Sequence, residues 1–311
     1  LDEWAATGNP GKEYTAGTLL GRVDAHFEKY GIRRLPDGSV TGAPLLSDDE
    51  FNHSLGEMRI RFIQEIVYWC ALDYMYTGNT SNIPRVIDAL DHALDQGFAY
   101  GSGQGTNHHY GYQVRDLYKG VWILRKELAK SGKLEDYVKA LTYWSGLQEA
   151  RMPYEQTRDG ILDAWHTLHN AKVISAMLQS DDDKRYAAML ALGKWTSGSL
   201  SYTDGTLGGI KVDGTSFHHG GHYPGYSVGA FGVLGDYCWF TRDTDFAIDE
   251  PARRVFKHTL MTLLDYCNLR DWGVGVCGRH PFNGAIPEKD VEAFARLALL
   301  GDLTGSGLSA D

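Results

Sequence analysis

A helical period limits this chain more than any other feature. The stretch "SDDEFNHSLGEMRIRFIQEIVYWCALDYMYTG", residues 47–78, opens with Ser47 and Glu50 in the spacing of a capping box. Phe51, Leu55, Met58, Phe62, Ile66 and Trp69 follow at steps of three and four, and Gly78 supplies a stop. Similar patterns recur at 17–30, 82–96, 112–131, 133–147, 160–179, 181–198, 226–241, 249–268 and 287–301. Strand-like alternation is nearly absent, apart from the short "GGIKVDG". About ten consecutive amphipathic helices with short Gly-rich or Asx-rich joins predict an all-α fold of antiparallel hairpins laid side by side. An incomplete (α/α) toroid and an α-solenoid both fit that pattern, and no armadillo or TPR signature repeats. Residues 1–16 and the tail 305–311 read as linkers, leaving 17–304 as one helical domain.

Composition removes several function classes. The 311 residues are 43% hydrophobic and 23% charged, enough for a sizeable core. A formal net charge of −10 argues against a nucleic-acid partner. An anionic ligand would need a local cationic pocket inside this acidic molecule. No apolar run is long enough for a transmembrane helix, so no membrane partner is expected. The four cysteines (Cys70, Cys238, Cys267, Cys277) contain no C-x-x-C pair, and the first three sit in apolar helix-like runs as buried thiols. Leu1 is not an initiator methionine, so the chain is read as a mature form or an excised piece, without a signal peptide.

The chemistry-bearing residues crowd into the irregular stretches and one helix. "GTNHHYGYQVRDLY" holds Asn107, His108, His109, Tyr110, Tyr112 and Arg115. "DGTSFHHGGHYPGY", residues 213–226, holds His218, His219, His222, Tyr223 and Tyr226. "VCGRHPFN" holds Arg279, His280 and Asn283, and "DAWHTLHN" holds Asp163, Trp165, His166, His169 and Asn170 on a predicted helix. Most of the twelve histidines lie in these four segments. Singly, His53, His92 or His258 reads as a satisfied core residue, and Trp165 fits a core position as well as a sugar platform. The double clusters read differently, because glycines beside histidines let backbone approach a ligand closely. A catalytic zinc is disfavoured: HExxH is absent, and adjacent side chains such as His108 and His109 diverge. Paired carboxylates for glycoside hydrolysis could come from Glu155, Asp163 and Asp213, yet no motif surrounds them. The abundant groups are His, Tyr and Arg, which suit removal of a carbon-bound proton beside a carboxylate.

The segments "DGTSFHHGGHYPGYSVGAF", "GRHPFN", "NHHYGYQVR" and "LDAWHTLHN" resemble, in order, the chondroitin ABC lyases of polysaccharide lyase family 8. The resemblance runs from about residue 50 to the end of the chain. It implies a helical toroid that is followed in family members by β-sandwich domains. It implies β-elimination on a uronate-containing glycosaminoglycan, chondroitin or dermatan sulfate and also hyaluronan. On this pattern Tyr226 is the general acid and base, which requires nearby positive charge because a free tyrosine has a pKa of about 10. His219 is the base for iduronate, whose H5 lies on the opposite face. Arg279 and His109 neutralise the uronate carboxylate, and His108, Asn107, Trp165, His166, Asn170, His222 and Asn283 bind substrate. The family's catalytic glutamate lies in the following β-domain, beyond this sequence, so other domains of the same parent chain are expected partners. The sequence requires no cofactor. A calcium ion is implied for ABC types but has no clear ligand set here. A secreted or periplasmic location follows from the resemblance. The alternatives are a non-catalytic glycan-binding toroid and an (α/α) toroid glycoside hydrolase. His218 is left without a role.

Overall fold

The computed structural model describes residues 1–7, 16–45, 60–102, 110–156, 161–277 and 284–286, with 291, 294–295 and 298 near the end of the chain. The chain divides into two compact units, one of residues 1–146 with 174–182, the other of 147–173 with 183–311.

The first unit is helical: α1 Asp2–Thr7, α2 Ala16–Tyr30, α3 Arg61–Thr77, α4 Ile83–Asp95, α5 Tyr110–Lys130 and α6 Leu134–Trp144. Helix α3 bears out the second half of the 47–78 pattern. Phe62, Ile63, Ile66, Val67 and Cys70 are buried, and Gly78 ends the helix in the left-handed region at φ 71°. Ser47 and Glu50 lie outside the described residues. Helix α3 makes its broadest contact with α5 rather than with its neighbour α4. Gly120 of α5 explains the closeness, since a Cβ there would stand 2.9 Å from Val67 and 3.1 Å from the Tyr68 backbone.

Two expectations change here. Residues 2–7 are not a linker but a short helix docked on α5. Trp4 is 8% and Ala5 0% exposed, and the Trp122 Nε1–H donates to Asp2 Oδ1 at 2.8 Å. A single indole buried against a long helix is enough to order a short terminal segment. Second, strand pairing is not confined to the "GGIKVDG" region: β1 Arg33–Arg34 and β2 Val40–Thr41 form an antiparallel hairpin.

The second unit contains a helical segment in three pieces, α7 Ile161–Asp163, a π-turn Ala164–Leu168 and the start of α8 His169–Met177. It also contains α9 Asp182–Ser199, α10 Pro224–Thr241 and α11 Glu250–Tyr266. Helix α10 is apolar on nearly every side and is the buried centre of this unit. Between α9 and α10 lies a three-stranded antiparallel sheet, β3 Gly209–Ile210, β4 Ser216–His218 and β5 Gly221–His222. Strand β3 falls in the "GGIKVDG" run. Strands β4 and β5 are not legible in the sequence, because each is too short to show an alternation.

Among the cysteines, burial pushes the Cys70 and Cys238 thiols up to about 12, so both stay protonated and inert. Cys277 is also buried, whereas Cys267 is only half-buried.

Candidate functional site

The "HHGGHYPGY" stretch is a tight hairpin fastened to a helix start. His218 pairs with Gly221 across the strands, so His219 and Gly220 form a two-residue loop. Both have positive φ, 52° and 82°, as a type I′ turn demands. Histidine tolerates this region better than most residues, yet the conformation still costs about 1–2 kcal/mol. Tyr223 then caps α10, with Pro224 at the first helical position. The Tyr223 N–H donates to the Ser216 carbonyl at 3.0 Å, and the hydroxyls of Ser216 and Ser227 are hydrogen-bonded. These bonds lock strand β4 to the first turn of α10 and fix His219 relative to Tyr226.

Four rings meet at this junction. The exposed His219 ring stands 5.3 Å from Tyr226, nearly perpendicular at 86°. His218 packs 4.0 Å from His219 and 4.4 Å from Tyr226. Tyr223 flanks Tyr226 at 4.7 Å. Beneath them, Asp163 Oδ2 lies 3.5 Å from His218 Nε2.

The helix "DAWHTLHN" splits into two faces. Asp163 and His166 are half-buried and turn toward α10. The His166 ring lies over Gly229, where a Cβ would stand 2.8 Å from Nε2, one turn beyond Tyr226. Asn170 is half-buried on the same helical face, and its Oδ1 is buried without a hydrogen-bond partner among the described residues. The opposite face is core. Trp165 is 0% exposed and its Nε1–H donates to Ser199 Oγ at 2.9 Å, so the expected sugar platform is corrected: no ring face reaches solvent. His169 is likewise buried, joined to Thr196 Oγ1 at 2.9 Å. Burial holds its pKa down at about 3, and the Lys172 ammonium adds to the effect, so it stays neutral.

His222 stands apart from the ring cluster. It pairs with Phe217, one residue out of step with His218, so its side chain faces the other side of the sheet. There it packs 4.6 Å from Tyr266, with both ring nitrogens buried and lacking hydrogen bonds among the described residues. Burial lowers its pKa, and the charge of Asp213 opposes that only partly. Asp213 itself accepts the Thr215 N–H and hydroxyl, which holds its carboxyl below the usual range and commits it to a turn. Asn107, His108, His109, Arg279 and Asn283 lie outside the described residues. No three His, Cys, Asp or Glu side chains converge as metal ligands among the described residues.

The Asp163–His218 pair escapes sequence reasoning, which considers Asp163 only as a hydrolase carboxylate. Helical spacing puts Asp163, His166 and Asn170 on one face, and that signal is there to be read. Nothing in the sequence says which face is buried.

Chondroitin sulfate ABC exolyases from Bacteroides thetaiotaomicron and Proteus vulgaris are similar to the chain. The first is 31% identical over 291 residues, 86% of this chain and 28% of that protein. The second is 29% identical over 309 residues, 92% of this chain and 31% of that protein. The chain thus spans less than a third of the length of these relatives. Among solved structures, a Paenibacillus xanthan lyase shares the fold with a TM-score of 0.65 at 17% identity, covering 96% of this chain and 29% of that one. A Streptomyces coelicolor chondroitin AC lyase in complex with chondroitin sulphate also gives 0.65 at 15% identity, covering 97% and 41%. These neighbours are polysaccharide lyases of the helical-toroid class, and the all-α class expected from the sequence stands. Residues 11–310 match the family described as "Lyase, catalytic". The chain therefore belongs to the catalytic-domain family of the polysaccharide lyases of family 8.

Proposed function

We propose that this domain cleaves uronate-containing glycosaminoglycans, chondroitin or dermatan sulfate foremost, by β-elimination. The observation that carries the reading is the juxtaposition of exposed His219 with Tyr226 at the first turn of α10. In the elimination the C5–H bond breaks and its electron pair forms the C4–C5 double bond. The C4–O4 bond breaks in turn, and O4 leaves with a proton. Tyr226 protonates O4, and for glucuronate it first accepts H5 from the same face. His219 accepts H5 of iduronate from the opposite face. The two groups stand on separate elements that are tied together, so both keep their places while the bonds change. The partial positive charge at the start of α10 favours the anionic sugar nearby.

H5 becomes acidic only when the adjacent carboxylate is neutralised. Arg279 and His109 take that task in this reading, with Asn107, His108 and Asn283 binding the sugar. His166 and Asn170 extend the same face. A glutamate from outside this chain completes the set. A polymeric substrate of this size is met outside the cytoplasm, which favours a secreted or periplasmic location.

The test is ultraviolet absorbance of the unsaturated uronate product during incubation of the full-length protein with chondroitin sulfate. Absorbance should rise, and Tyr226→Phe should lower kcat by about a thousandfold while substrate is still bound. New reducing ends without the absorbance would mean hydrolysis. Binding without either would mean a glycan-binding toroid.

A further inference from the structure

We infer that Asp163 and His218 act as a positioning pair that holds His219 and Tyr226 in their working arrangement. The inference rests on the lyase reading above and extends it to residues that reading leaves without a role.

His219 sits at the tip of a two-residue turn and is exposed. Left alone, such an imidazole would sample several rotamers. Elimination needs its nitrogen and the Tyr226 hydroxyl held to within about half an ångström. His218 is the ring that touches both, at 4.0 Å and 4.4 Å. Its own position must then be set by something. The hairpin fixes its backbone through the pairing with Gly221, but not the rotation of its ring. Asp163 contributes to that constraint by charge, with a carboxylate oxygen 3.5 Å from Nε2, an ion-pair separation and not a hydrogen bond.

Asp163 is well placed for this task. It is the last residue before the π-turn, and its carbonyl accepts the Thr167 hydroxyl at 2.7 Å. Such turns recur at functional sites, where they redirect a side chain. The two residues are far apart in sequence, so the contact ties the π-turn to the hairpin. His222 cannot substitute, because it faces the other side of the sheet against Tyr266. His218 is 9% exposed, so it acts through its neighbours and not on substrate.

Asp163→Asn, His218→Gln and the double variant test the pair in the full-length protein. Each single change should lower kcat by about ten- to a hundredfold with KM little altered. The double variant should be no worse than the poorer single one, because both changes break one unit. Asp163→Glu should recover part of the loss. Melting temperature separates this from unfolding: Asp163 is partly exposed, and its Asn variant should melt like the parent. Wild-type kcat in both singles, multiplicative losses in the double, or losses that follow melting temperature would each overturn the pairing. Histidine-ring NMR reads the pair independently of turnover. Asp163→Asn should shift the ring signals of both His218 and His219. If only His218 responds, the inference fails, even in a protein whose parent shows no lyase activity.

Discussion

The described histidines fall into two kinds. In the first unit, His26 meets Glu65 at 2.7 Å and stacks on Trp69 at 5.4 Å. His92 is fully buried and contacts the Ala43 carbonyl at 2.8 Å. Both are framework residues held by polar partners. In the second unit, His218 and His219 lie ring to ring with each other and with Tyr226, one of them on strained backbone. His169 in that same unit is framework again. The partner of a histidine, not its presence in a motif, separates structure from chemistry. His219 shares its positive φ with Asp243 and Leu269 among the described non-glycine residues, and it is the one of the three that lies in the ring cluster, where strain tends to be functional.

The sharpest way to break this contrast is at His219. His219→Ala should lower kcat on iduronate-containing substrate by about a hundredfold, read from the unsaturated product. His219→Gly should lose the same activity yet raise unfolding stability by up to about 1 kcal/mol, because glycine accepts the positive φ freely. A loss of stability in the urea midpoint would show that the turn is not strained.

Gly229→Ala probes the face that carries His166. The new methyl would meet three atoms of the ring, the nearest at 2.8 Å, so the ring or the helix must move. About 1–3 kcal/mol of stability should be lost, with about a tenfold fall in kcat. Unchanged kinetics would remove His166 from the site.

His169 gives the framework side a pH signature. Its folded pKa of about 3 lies below the ordinary 6.5, so between these values the unfolded chain binds a proton that the folded one does not. Stability is therefore complete above pH 6.5 and falls as pH drops toward 3, by up to about 1.4 kcal/mol per pH unit. Urea unfolding at several pH values reads this slope. His169→Gln, which can keep the bond to Thr196, should flatten it.

The smallest effect belongs to the surface of the first unit. Arg34 reaches Asp88 and Asp91, each at 2.7 Å, in a partly exposed network. Arg34→Ala should cost about 1 kcal/mol or less, diminish further in high salt, and leave kcat unchanged. A kinetic effect there would show that this surface network does more than support the framework.

Much of the fold is readable from residues alone. Helices α2, α4, α5, α9, α10 and α11 begin and end within about two residues of the periodic stretches, because burying a stripe demands that spacing. His219 and Tyr226 stand out by their glycine-rich setting and their likeness to known lyases. The burial of Trp165 and the side of the sheet that His222 takes are illegible for one shared reason. Each residue belongs to a segment with two usable faces, and sequence shows the period but not which face meets the core.

The chain's order of residues by itself determined the helical class and the arrival of an imidazole seven positions ahead of a phenol. Those are local matters of backbone sterics and spacing. Tertiary structure alone decided that Asp163 meets His218, that Trp165 is core, and that α1 docks on α5. Contacts between residues far apart depend on how whole elements pack, and no local pattern encodes that.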